Sequence, residues 1–430
     1  MERYKTMLML LIIADDFTGA LDTSVQFSTY GAVTRVVTDN TYNFENIDND
    51  VEVLVIDAET RHLNGKSAYK VIYDIVKRAT KANIPYIYKK TDSALRGNIG
   101  SELTAMVEAS GEHVLHFIPA LPSMNRTTNK GVHYIDGIPV HESVFGEDPF
   151  EPVLCSYIPE IIRQQSDITV RIVEQGQVMD QVYEPVITVY DAKTNERMRE
   201  IALSLKKQEQ LRLMAGCAGF ATVLSEILDL KGPVNRMTAF KHNFLVINGS
   251  VNPITKNQLN HAQKHDFFRI RMTPEQKLNE QYIETEKGMK VMEFWKDLCQ
   301  THSRCILDTN DLLVEKETLA YAKEVGLTVE EVRKNIATNL GRILKKLMDM
   351  GIDSTMLLIG GDTLLGFMEY INVHEIIPVM ELAQGTVLSR FKYLNKEYEL
   401  ISKSGGFGDK ELLVELADLI LRVKKEELLC

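Results

Sequence analysis

The sequence predicts an α/β protein of two doubly wound domains, an N-terminal one built on a parallel Rossmann-like sheet and a C-terminal one that restarts the pattern. Three observations carry that expectation. Over the first ~120 residues short β-branched runs alternate with amphipathic helical ones, the rhythm of a parallel sheet with crossover helices. Lys231-Gly232-Pro233-Val234-Asn235 then has the composition of a linker, in a chain whose 430 residues exceed one typical core. Beyond it, three glycine-containing turns each fall between a strand-like and a helix-like segment. The domains are therefore expected at 1–235 and 236–430.

Taken in order, the apolar run Met7 to Ala14 reads as a buried first strand. It stops at two carboxylates, Asp15 and Asp16, and Thr18-Gly19 opens a helical segment, Ala20 to Tyr30. Asp15 and Asp16 suit a helix N-terminus, and they equally suit a ligand. Gly31 is a helix stop, Val33 to Val37 a strand, and Val51 to Ile56 the next, ending in Asp57 to His62. Ala68, Val71, Ile72, Ile75, Val76 and Ala79 recur at the three- and four-residue steps of one buried helix face. Ile84 to Tyr88 is a strand ending in Lys89 to Ser93. Leu95-Arg96-Gly97-Asn98 leads into a helix around Ser101–Glu108, and His113 to Ile118 is a further strand. Asn125 to Gly131 is polar and turn-rich, and with Pro139, Pro149 and Pro152 it predicts a long loop region. Alternation resumes from Ile168 to Leu230, with a strand near Ile187–Tyr190 and a small-residue turn at Gly216-Cys217-Ala218-Gly219.

In the second half, Phe244 to Ile247 is a strand running into Asn248-Gly249-Ser250, and Thr255 to His265 a helix. Thr328 with Glu331 forms a capping-box pattern heading a long amphipathic helix that carries Val332, Ile336, Leu340, Ile343, Leu344 and Leu347. Met356 to Ile359 is a strand ending in Gly360-Gly361-Asp362-Thr363. Glu399 to Ser402 leads to Lys403-Ser404-Gly405-Gly406-Phe407-Gly408 and a final helix after Asp409.

The polar groups of the first domain fall directly after predicted strands: Asp15 and Asp16, then Asp57 and Arg61, then Lys90, Asp92, Ser93 and Arg96. In a parallel sheet those ends share one edge, where ligands collect. Carboxylates and cations together suit a polyhydroxylated acid, with ammonium and guanidinium for its carboxylate and aspartates for its hydroxyls. In the second domain, glycine lets backbone N–H groups approach a phosphate, and the following helix N-terminus adds favourable partial charge. Lys403 would contribute a point charge. Neither a P-loop nor G-x-G-x-x-G is present, so a nucleotide site here belongs to neither group. The ten histidines do not cluster at ligand spacing.

A net charge of −11 and a pI near 5.5 argue against a nucleic-acid partner. No stretch approaches the ~18 apolar residues of a membrane span. Cys155, Cys217, Cys299, Cys305 and Cys430 are scattered, as expected of reduced thiols in a cytoplasmic protein. The oligomeric state is left open, a homo-oligomer included.

Asp15-Asp16-Phe17-Thr18-Gly19-Ala20, Lys90 to Asn98, Pro119-Ala120-Leu121-Pro122, Asn248-Gly249-Ser250, Gly360 to Thr363 and Lys403 to Gly408 stand in the order seen in the four-carbon acid sugar kinase family, which the chain resembles over nearly its whole length. The resemblance implies an N-terminal sugar-acid-binding domain and a C-terminal nucleotide-binding domain. It also implies ATP-dependent phosphorylation of threonate, erythronate or 3-oxo-tetronate at the terminal hydroxyl. Substrate contacts carried over are Asp15, Asp16, Thr18, Arg61, Lys90, Thr91, Asp92, Ser93 and Arg96. Nucleotide contacts carried over are Ser250, Gly360, Gly361, Asp362, Thr363, Lys403, Ser404, Gly405, Gly406, Phe407 and Gly408. The chain departs from the family at Asn125, where glycine is usual, at Cys217 and Phe220, and at Asn252.

Phosphoryl transfer needs positioning and charge neutralisation more than covalent chemistry. The expectation is that the domains close on the two ligands, with Mg²⁺ bridging phosphate oxygens, Asp362 assisting, and other metal ligands unknown. The base is Asp16 or Asp92, with Asp16 preferred for its place on a fixed strand-to-helix turn. Two rivals are a non-catalytic sugar-acid and nucleotide sensor and a two-domain α/β dehydrogenase.

Overall fold

The structure is a computed structural model, and it describes residues 8–147, 151–174, 184–230, 240–311 and 316–427. The expected linker Lys231–Asn235 and Cys430 lie outside the described residues. The chain divides into two compact units, Met1–Asn235 and Arg236–Cys430.

In the first unit the strands are β1 (Leu10–Ala14), β2 (Thr34–Val37), β3 (Val53–Asp57), β4 (Tyr86–Lys90), β5 (Val114–Ile118), β6 (Arg126–Asn129), β7 (Val132–Ile135), β8 (Ile138–Pro139), β9 (Thr169–Val173), β10 (Val186–Tyr190) and β11 (Leu213–Gly216). Its helices are α1 (Phe17–Thr29), α2 (Gly65–Lys81), α3 (Ile99–Ser110), α4 (Ile158–Arg163), α5 (Asn195–Lys207) and α6 (Ala218–Ile227). Eight strands form a parallel sheet in the order β2-β3-β1-β4-β11-β5-β10-β9. β1 and β3 are buried at every position, as expected for strands covered on both faces. α2 packs beside α3 on one face, and Ala68, Ile72, Ile75, Val76 and Ala79 of α2 enter the core there with Leu11, Ile13, Leu54 and Ile56. α1 packs against α6.

The chain runs from β1 to β2 and β3 on one side, then crosses to β4 on the other. β1 therefore marks the point where strand order reverses, the crevice where open α/β sheets bind ligands. The register sets Ala14 level with Asp57 and with Lys90, so the segments after β1, β3 and β4 leave the sheet at the same height.

The expected loop after Asn125 is instead a small antiparallel sheet of β6, β7 and β8. Arg126 to Asn129 alternate between buried and half-buried, the period of a strand with one covered face. Lys130 and Gly131, both at positive φ (50° and 70°), make the two-residue turn that joins β6 to β7. Polar composition concealed the strand because its inward residues are Arg126 and Thr128. Asn125 adopts φ 53°, the left-handed region where asparagine is the best substitute for the family's glycine.

The second unit has strands β12 (Asn243–Asn248), β13 (Phe268–Arg271), β14 (Arg304–Asp308), β15 (Ser354–Ile359), β16 (Glu375–Ala383), β17 (Thr386–Tyr393) and β18 (Lys396–Lys403). Its helices are α7 (Pro253–Gln263), α8 (Pro274–Leu278), α9 (Glu286–Thr301), α10 (Lys316–Glu324), α11 (Val329–Asp349), α12 (Gly361–Tyr370) and α13 (Leu412–Glu427). The sheet order is β13-β14-β12-β15-β18-β17-β16, with the first five strands parallel and the β16–β18 meander antiparallel. The capping box of α11 forms as expected between Thr328 and Glu331. No helix among the described residues is long and apolar enough to cross a membrane.

Two buried histidines make the first unit sensitive to acid. Burial lowers His116 to about 4; burial also lowers His133 to about 4, outweighing the support of its bond to the Ser93 carbonyl. Both are neutral in the fold and titrate near 6.5 when exposed, so their contribution is complete above pH ~6.5 and is lost as pH falls toward 4. Urea unfolding at pH 7 and pH 4.5 should show a loss of stability of roughly 3 kcal/mol per histidine at most, and a smaller loss for a His133→Gln variant.

Candidate functional site

The crevice at β1 and β4 gathers all nine residues expected there. Asp15 is buried at the end of β1, and its Oδ2 accepts from Arg61 Nε at 2.9 Å. Arg61 Nη2 lies 2.8 Å from Asp16 Oδ1 and 3.7 Å from Asp92 Oδ1, so one guanidinium ties together the segments after β1, β3 and β4. Asp92 is held in turn by Arg96, through Nε at 3.0 Å and Nη2 at 2.9 Å, and by the Ala94 N–H at 3.0 Å.

These pairs fix the charges. Burial pushes Asp15 up, but Arg61, Lys89 and Lys90 more than offset it and hold the carboxyl at about 2. Burial likewise raises Asp92, and Arg96 and Arg61 bring it well below the usual carboxylate range. Arg61 is opposed by burial and raised by its three aspartates. Asp57 behaves differently: burial, then Glu59 and Asp16, push it well above the ordinary value. Beneath the crevice, Lys89 and Glu102 form a wholly buried pair at 3.0 Å, a contact whose one-sided removal costs about 3–5 kcal/mol.

Asp16 is both a helix cap and a site residue. Its Oδ1 accepts from Gly19 N at 3.0 Å and its Oδ2 from the Thr18 hydroxyl at 2.9 Å. A Cβ on Gly19 would sit 2.5 Å from Asp16 Oδ1 and 2.6 Å from Lys90 Nζ, so the glycine is required for both groups to crowd over the start of α1. Lys90 is only 5% exposed. Among the described residues its ammonium makes neither a hydrogen bond nor an ion pair. Asp15 Oδ1 and Thr91 Oγ1 are also buried with no hydrogen-bond partner among the described residues.

Two further residues, Arg126 and Asn98, shape the crevice and escape sequence reasoning as site residues. Arg126 is buried, donates to Ser93 Oγ, and shares the Phe145 ring with Arg96, each guanidinium 5.3 Å from the centroid. Asn98 Nδ2 donates to the Thr60 and Leu63 carbonyls at 2.9 and 2.8 Å, fixing the loop that carries Arg61. Asn98 closes the Lys90–Asn98 motif, and Arg126 follows the Pro119–Pro122 motif in sequence, which are the signals that could have pointed to them.

In the second unit the three glycine turns converge. A Cβ on Gly249 would meet Thr363 Oγ1 at 2.1 Å, and one on Gly405 would meet Ser250 Oγ at 2.4 Å. Gly360 precedes α12 at φ 106°, with Ser250 N 3.7 Å from its hypothetical Cβ. The Lys403–Gly408 loop is pinned by α7, whose sequence gave no hint of it. Gln258 Nε2 donates to the carbonyls of Phe407, Gly408 and Asp409 at 3.0, 2.9 and 2.9 Å, and Thr255 Oγ1 to that of Gly405 at 2.7 Å. Lys403 is buried and donates to the Ser404 carbonyl at 2.9 Å, which ties the ammonium to the loop. Asp362 is paired with Arg333 at 2.7 Å. Gln258→Ala should loosen the loop and lower the unfolding free energy by about 1–3 kcal/mol, read in urea titrations.

Comparisons with known proteins agree with this division. Residues 10–224 match the model of a sugar-binding N-terminal domain, and residues 245–413 that of a nucleotide-binding C-terminal domain. The chain is 27% identical to the D-threonate kinase of Salmonella typhimurium, over 94% of this chain and 97% of that one. It is 27% identical to the D-erythronate kinase of Heliobacterium modesticaldum over 58% of this chain and 59% of the relative. A solved structure from Salmonella typhimurium LT2 shares the fold with a TM-score of 0.77 at 19% identity, covering 95% of this chain and 99% of that one. With both domain models matched in order, the chain belongs to the four-carbon acid sugar kinase family.

Proposed function

We propose that this protein is an ATP-dependent kinase that phosphorylates the terminal hydroxyl of a four-carbon sugar acid, D-threonate first among the candidates, then D-erythronate and 3-oxo-tetronate. The observation that carries the reading is Lys90: a buried ammonium that makes no hydrogen bond or ion pair among the described residues, near buried oxygens of Asp15 and Thr91 that have no hydrogen-bond partner there, is matched by a ligand with one carboxylate and several hydroxyls. The end-to-end relationship to a D-threonate kinase supports the choice of acid.

In the first unit Lys90 takes the carboxylate, while Asp15, Thr91 and Ser93 bind hydroxyls within a frame set by Arg61 and Arg96. Asp16 accepts the proton of the reacting hydroxyl. In the second unit the turns after β15 and β18 offer backbone N–H groups from Gly361 to Thr363 and at Gly405 and Gly406 to the nucleotide phosphates, and Ser250 offers its hydroxyl. The described residues hold no group of three or more His, Cys, Asp or Glu suited to a metal, and the carboxylate of the Gly360–Thr363 turn, Asp362, is engaged by Arg333. A Mg²⁺ bound with the nucleotide would supply charge neutralisation to the phosphates. A coupled ADP-release screen over the three four-carbon acids, with longer sugar acids as controls, tests the reading. ADP release with one tetronate and a phosphorus NMR signal at its C4 oxygen are expected; silence with all three removes the proposal.

A further inference from the structure

We propose that Asp308, at the end of β14, is a positioning residue for the nucleotide, presetting Ser250 through two asparagines. This rests on the nucleotide reading of the second unit. Asp308 is fully buried, and the register places it level with Asn248 on β12 and Arg271 on β13. Its Oδ2 accepts from Arg269 Nε at 2.9 Å and Nη2 at 2.6 Å, and Arg271 Nη1 stands 3.5 Å away. Its Oδ1 accepts from Asn248 Nδ2 at 2.8 Å, from the Asn310 N–H at 3.1 Å and from Asn310 Nδ2 at 3.0 Å.

Both asparagines also act on Ser250. Asn248 Nδ2 and Asn310 Nδ2 donate to the Ser250 carbonyl at 3.0 and 3.3 Å, and Asn248 Oδ1 accepts from Ser250 N at 3.1 Å. The serine main chain is thus held at both its polar groups, and the hydroxyl, whose oxygen accepts from the Asn252 N–H at 3.2 Å, keeps its proton to donate to the phosphates. A serine on a glycine-flanked turn would otherwise sample many orientations, and ordering it beforehand spares that cost at binding. The loop after β14 is fixed at its far side too, since buried Lys277 bonds Asp311, whose Oδ2 accepts from Thr318 N at 3.1 Å. A carboxylate is needed at 308 because only an acceptor on both oxygens serves two amides and a guanidinium together.

Asp308→Asn keeps the side-chain shape but sets an amide against Arg269. Calorimetric titration of the full chain with a non-hydrolysable ATP analogue and, separately, with D-threonate reads the effect. The expected result is nucleotide affinity weakened about tenfold or more, with D-threonate affinity within twofold of wild type. Should Asp308→Asn not fold, Asn310→Ala gives the same reading, with a loss of about threefold to tenfold confined to nucleotide. Unchanged nucleotide affinity in the folded variant overturns the role of Asp308, as does an equal loss for both ligands. A wild-type chain that fails to bind the analogue would instead remove the kinase reading, and this inference with it.

Discussion

Replacing Lys90 by methionine should lower kcat/KM for the sugar acid by roughly a hundredfold or more while leaving KM for ATP unchanged. The apolar stem of lysine is preserved, so packing changes little. What disappears is a buried ammonium that makes no hydrogen bond or ion pair among the described residues. Its Coulombic support of Asp15 and Asp92 offsets the cost of its burial, so its removal should change the melting temperature little. Ordinary core damage would move activity and stability down together. Activity lost with stability kept is therefore the signature of a charge retained for a ligand, and steady-state kinetics with a thermal melt reads both.

Asp16→Asn should reduce kcat by about 10²–10⁴ with KM for the sugar acid within a few-fold. All three aspartates contact Arg61, so openness to a substrate rather than charge separates them. Asp16 is the most open of the three, its side chain 19% exposed against 3% for Asp15 and 8% for Asp92. Asparagine retains an oxygen for the Gly19 N–H, so the α1 cap should survive. Near-normal turnover with collapsed affinity would assign Asp16 to binding instead.

The parallel sheet of the first unit was legible because its signals are local. Apolar strands such as Leu10–Ala14 and a one-faced helix such as α2 announce themselves within one window. The crevice was legible for the same reason: Asp15 and Arg61 follow strands, Lys90 ends one, and a parallel register brings strand ends level. β6 stayed hidden because its inward side chains are polar. The end of β18 was read from Glu399 to Ser402, but β16 and β17 were hidden because Glu375 to Tyr393 mixes charged and apolar residues on a half-covered sheet. Tertiary clamps left no trace in sequence: Gln258 lies 149 positions from the Phe407 carbonyl it holds, and Arg269 lies 39 from Asp308. Nor could the sequence reveal that Asp16 caps α1 and faces the crevice at once, since both readings ask for the same residue.

The central claim is that the first unit recognises a sugar acid through its carboxylate at Lys90. Calorimetric titration of the wild-type chain and Lys90→Met with D-threonate and with threitol, its carboxylate replaced by a hydroxymethyl group, tests that claim most directly. Wild type should bind D-threonate at least about a hundredfold more tightly than threitol, and the variant should lose most of that preference. Equal binding of the two ligands by wild type, or a preference that survives the loss of Lys90, would contradict it.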